Sequence, residues 1–222
     1  MIRRLLPIML AFAALLAGPA MARLPHPPLF AIPRPAPQPP LAFAYHGWKV
    51  DAQPSRGAQP AAKTVAAMKT QIDIVEHAGL KPAALDLLRA VPIVVTAAKT
   101  GPARYDPRGV VVVPARSLSP KKAALLYALL HAYQDKLVSG GAANPEILGF
   151  LREARTSHDW PKDADMLQNA REYFAATATV YLYGEFTREP YSRATLRQTQ
   201  PRYYQWLALQ FDDGRARAWK GR

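Results

Sequence analysis

The alternation of apolar and polar positions is clearest between Lys121 and Leu137, KKAALLYALLHAYQDKL. Pro120 stands one residue ahead, where a helix can begin. Neither Gly nor Pro interrupts the stretch. Leu125, Leu126, Leu129, Leu130 and Leu137 fall on most faces of a 3.6-residue period, with Ala between them. A helix apolar nearly all round is a buried one. Tyr127, His131 and Asp135 break the apolar surface at intervals of one turn, so they share a face. Polar groups on a buried face need partners, and this face is where chemistry is expected.

The same pattern predicts the surrounding elements. Val65, Met68, Ile72 and Val75 give a helix over residues 61–78, ended by Gly79, and a short helix follows from Pro82 to Arg89. Two β-branched runs, 92–96 and 110–113, read as strands separated by an Asp-Pro-Arg-Gly turn at 106–109. After the central helix, Ser139-Gly140-Gly141 is a stop and Asn144-Pro145-Glu146 caps a helix to about His158. A further helix is predicted from Met166 to Tyr183. Ser192 caps another, and Gln200-Pro201 opens a last one that packs through Tyr203, Tyr204, Trp206, Leu207 and Phe211. The fold class is therefore α+β, mainly helical, with a small sheet ahead of the central helix and a helical C-terminal part.

Composition adds a frame around this domain. Arg3 and Arg4, the apolar run from Leu5 to Leu16 and the small residues of Ala20-Met21-Ala22 make residues 1–22 an export signal, cut after Ala22. The expected location is the periplasm or the outside. Eight prolines within 25–40 cannot form helix or sheet, and residues 23–60 are assigned to a Pro-rich tether. Residues 61–222 form a single domain. The full chain carries +13, and loss of Arg3 and Arg4 with the leader leaves +11. That excess favours an anionic envelope surface or an acidic protein. The export signal and the lack of a recognisable motif point away from nucleic acid. No apolar run in the mature chain reaches membrane-spanning length. Cys is absent, which excludes disulfides and thiolate chemistry. Arg188, Arg193, Arg197 and Arg202 lie close in sequence, as a solvated face or an anion-binding patch.

Two segments carry a resemblance. Tyr127-Ala128-Leu129-Leu130-His131-Ala132 resembles the active helix of the zincin metallopeptidases, His-Glu-x-x-His, with only the second His present. Asn169-Ala-Arg-Glu172-Tyr-Phe-Ala175 is similar to the later helix that supplies the third ligand in the gluzincin branch, in particular its lethal-factor-like group. The resemblance covers roughly residues 90–211. It implies a zincin-like domain in which a small sheet, with an exposed edge strand for substrate, precedes the active helix. It further implies His131 and Glu172 as metal ligands, Tyr127 at the place of the first ligand and Ala128 at the place of the general base. A second register starts at His131 and puts Asp135 at the second ligand, again without a Glu base.

A catalytic zinc needs three protein ligands and an open position. The resemblance supplies two and no base, so no catalytic residue and no cofactor are expected, and His131 and Glu172 are vestigial. Without metal these two are expected to hydrogen-bond each other, joined by the Tyr127 hydroxyl. The reading is an exported zincin-like pseudoenzyme that binds a peptide or protein in the old cleft or serves a structural role. The alternative is an active zinc metallopeptidase whose third ligand is Asp135 or Tyr127.

Overall fold

The computed structural model describes residues 41–99 and 101–211. Residues 1–22, read as an export signal, residues 23–40 of the tether and the basic tail after Phe211 lie outside the described residues. Among the described residues no helix is long and apolar enough to cross a membrane.

Strands β1 (Ala42–Tyr45) and β2 (Trp48–Asp51) pair antiparallel. They are joined at His46 and Gly47, whose φ of 48° and 81° suit a two-residue hairpin turn that keeps the strands' twist. Residues 42–51, inside the stretch read as tether, thus contribute two strands to the sheet. The side chain of Trp48 is fully buried and draws the hairpin onto the domain. Next come α1 (Ala61–Glu76) and α2 (Pro82–Arg89), then β3 (Ile93–Thr96), β4 (Arg104–Asp106) and β5 (Val110–Pro114). The sheet order is β1-β2-β3-β5-β4. β2, β3 and β5 run parallel, and β1 and β4 close the edges antiparallel. Central parallel strands are covered on both faces, which is why 93–96 and 110–113 read as unbroken β-branched runs. β4 escaped the sequence reading because Arg104, Tyr105 and Asp106 form a short polar edge strand with no apolar alternation.

The central helix α3 spans Ala124–Leu137, and Leu125 through Gln134 are all buried. It begins four residues later than Pro120 suggests. The reason is Gln71 of α1, which has no exposed surface. Its Nε2 donates to the carbonyls of Ser119 and Lys122, each at 2.7 Å, and its Oε1 accepts from the Leu125 N–H at 3.0 Å. A side chain from a distant helix therefore does the work of a local N-cap.

Helix α4 (Pro145–Thr156) starts at Asn144, whose Oδ1 accepts from the Glu146 and Ile147 amides. Helix α5 (Ala170–Tyr183) is shorter than predicted at its start, because Asn169 caps it and residues 165–167 form a separate 3-10 turn. Its Ala and Thr residues let it lie close against α3, its main packing partner. Helices α6 (Arg193–Thr199), capped by Ser192, and α7 (Pro201–Gln210) complete the C-terminal part. There Tyr203 stacks on Tyr173 at 4.8 Å between centroids and on Trp206 at 5.7 Å. The architecture is α+β and mainly helical, with the mixed sheet preceding the helix that carries Tyr127 and His131.

Candidate functional site

Two helices build the site. Tyr127 and His131 sit one turn apart on α3, and their rings meet edge to face at 5.0 Å. Glu172 stands in the first turn of α5. Its position follows from Asn169, whose Oδ1 accepts from the Arg171 amide at 2.9 Å and the Glu172 amide at 3.0 Å. Asn-x-x-Glu is also a capping-box sequence, in which the Glu would reach back to the cap. Here the carboxylate reaches across to α3 instead.

The Tyr127 hydroxyl donates to Glu172 Oε2. The His131 Nε2 lies 3.7 Å from Glu172 Oε1. That is close, but beyond a hydrogen bond. The expected three-way hydrogen bonding is therefore half right: Tyr127 bonds Glu172, and His131 stays a contact. Asp135 is not part of the group. Both of its carboxylate oxygens are taken by Arg171, at 2.8 and 3.0 Å. Ala128 is completely buried.

Burial, seconded by the Glu172 carboxylate, pushes the Tyr127 phenol well above its ordinary value, so the proton stays on the tyrosine. Burial also holds His131 below its ordinary value, against the opposing pull of Glu172. The sign of the linkage follows. The unfolded chain takes up a proton at His131 near pH ~6.5 and the folded chain does so only lower. The stabilising effect is present above that pH and is lost as pH falls. Urea unfolding between pH ~6.5 and ~5 should show this decline, by at most ~1.4 kcal/mol per pH unit, and His131→Asn should flatten it. An identical slope in the variant would mean that the imidazole titrates freely.

The sequence reading missed Phe186 and Asp165. Phe186, in the loop after α5, stacks on Tyr127 at 5.3 Å. Arg188 lies over both rings, 5.3 Å from the centroid of Phe186 and 5.9 Å from that of Tyr127, and pairs with Asp165. Loop residues have no periodicity to betray them; the run of arginines was the one available signal. That run is not an anion patch of four. Arg193 donates to the carbonyls of Tyr181 and Leu182 at the end of α5, and Arg202 pairs with Glu153. A cavity of about 190 Å³ adjoins Tyr127, His131 and Glu172 and is also lined by Arg104, Asp165 and Arg188.

The fit to a zinc ion is partial. Two ligands at ~2.1 Å from a tetrahedral zinc are ~3.4 Å apart, near the 3.7 Å between His131 and Glu172. The third donor would be a phenol that keeps its proton and gives it to the second donor. Among the described residues no three His, Cys, Asp or Glu side chains gather into a metal-binding group. The group offers His131 and Glu172 at a ligand-like spacing, with a protonated phenol as third neighbour.

No family model matches the sequence, and no curated protein does. Among solved structures the chain is similar to the Pro-Pro endopeptidase PPEP-2 from Paenibacillus alvei. The identity is 22% and the TM-score 0.47, over 69% of this chain and 92% of that one. A likeness this distant leaves the residues' own geometry to decide the site.

Proposed function

We propose that this chain is an exported, zincin-like protein that has lost zinc-peptidase chemistry and works as a binding pseudoenzyme. The observation that carries the reading is the Tyr127–Glu172 hydrogen bond. A protonated phenol stands where the resemblance calls for a first imidazole, and it occupies the carboxylate that would serve as a ligand. Ala128, at the position of the base, has no group to take a proton from water. The order of sheet, active helix and Glu-bearing helix supports the zincin-like part, and the leader-like residues 1–22 support export.

What remains is a shaped cleft beside two helices, and binding is what such a cleft can still do. The purified, dialysed protein should hold far less than one zinc per chain and should not hydrolyse casein. About one zinc per chain, lost on Glu172→Ala, would instead make Tyr127 or Asp135 a ligand and restore the metallopeptidase reading.

A further inference from the structure

Between the start of α3 and the loop after α5 lies a groove of about 580 Å³. Tyr127, Tyr183 and Phe186 give it an aromatic lining, and Phe186 is held by its stack on Tyr127. Arg116, Lys121, Lys122 and Arg188 line it as well, against one acidic side chain, Glu185, among its described residues. Arg188 is committed to Asp165. Arg116, Lys121 and Lys122 are exposed and form no ion pair with a described residue. Several other arginines are neutralised locally. Arg89, Arg108, Arg171 and Arg202 each have a carboxylate within 3.1 Å.

We propose that this groove binds an acidic peptide segment, its carboxylates on Arg116, Lys121 and Lys122 and an apolar side chain on Phe186. The proposal rests on the reading of the site as a binding pseudoenzyme and names the class of partner. Charge complementarity selects the sign of the ligand. The aromatic lining selects a peptide among anions: a small ion leaves the groove unfilled, and a flat membrane surface meets the lysines without reaching Phe186. The bases of the cationic wall are also fixed in place, because Gln71 holds the carbonyls of Ser119 and Lys122.

Fluorescence anisotropy of the full-length protein tests this with labelled pentapeptides. One has four glutamates around a phenylalanine, a second has lysines in place of the glutamates, and a third has alanine in place of the phenylalanine. The first should bind at least ~10-fold tighter than the second, and the advantage should shrink as salt screens the charges. Lys121→Glu combined with Lys122→Glu should weaken the first peptide at least ~10-fold. Both lysines are exposed, so this variant should fold. Phe186→Ala should weaken the first peptide and leave the third unchanged.

Equal binding of the acidic and basic peptides, or undiminished binding by the double lysine variant, would overturn the proposal. So would displacement of the peptide by phosphatidylglycerol vesicles with no effect of Phe186→Ala. Mass spectrometry of the peptide separates the two readings. A peptide bound and cut upholds the groove and overturns the pseudoenzyme; a peptide neither bound nor cut overturns the groove alone.

Discussion

Tyr127→His is expected to raise the protein's affinity for zinc by on the order of 100-fold. The variant places an imidazole one turn before His131 on α3, so the two rings share a face. It also releases Glu172 from the tyrosine hydroxyl. His131 and Glu172 are already 3.7 Å apart, near the spacing a shared ion requires. Structural zinc binding is worth ~10–16 kcal/mol over four ligands, so one added ligand is worth ~3 kcal/mol, or on the order of 100-fold in affinity. Competition with a chromophoric zinc chelator measures this directly. The tyrosine ring is lost from the stack with Phe186, and a modest drop in melting temperature should accompany the gain. Hydrolysis needs more. Ala128→Glu would supply a base, but at a position with no exposed surface, where an added carboxylate costs stability unless the ion or water meets it. Unchanged zinc affinity in Tyr127→His would mean that α3 and α5 do not present the pair to one ion.

How far the sequence carried depends on the kind of signal. Leu125, Leu129 and Leu130 announce a buried helix by periodicity, and Val110 to Val113 a buried strand by composition; both are short-range properties and both are present in the fold. Asn144 and Ser192 announce helix starts by side-chain chemistry, and both cap the helices that follow them; Asn169 caps α5 as well, three residues after the predicted start at Met166. The meeting of His131 and Glu172 is different. Periodicity cannot pair residues that far apart in the chain, and the pairing was legible through the resemblance of two motifs. What escaped was held by long-range polar contacts. Trp48 could not be assigned to the domain from a Pro-rich neighbourhood, because its anchor is Glu76 on α1, which accepts its indole N–H at 2.5 Å and also pairs with Arg89. Asp165 and Phe186 lie in irregular segments whose positions are set by Arg188 and Tyr127, not by their neighbours in sequence.

Gln71→Ala should be among the most destabilising single changes in this protein, although the residue is neither charged nor apolar. Its amide makes three hydrogen bonds to the backbone around the start of α3, to Ser119, Lys122 and Leu125, and the side chain is fully buried. Truncation takes the Gln71 partner from the Lys122 carbonyl and the Leu125 N–H, and leaves the Ser119 carbonyl with the Lys122 amide at 3.3 Å, in a part-buried site. Each such group costs ~1–3 kcal/mol when nothing replaces its partner, and partial entry of water brings the sum to ~3 kcal/mol. For a domain of this size that is a fall of roughly 6–12 °C in melting temperature. Thr70→Ala, at the adjacent half-buried position, is the control and should change stability by less than ~0.5 kcal/mol. The effect reaches the site, because the freed segment carries Lys121 and Lys122 and leads into the turn of α3 that bears Tyr127. Amide hydrogen exchange should therefore quicken first over residues 119–127. A melting temperature within 2 °C of wild type, with exchange there unaltered, would mean that α3 starts without help from α1.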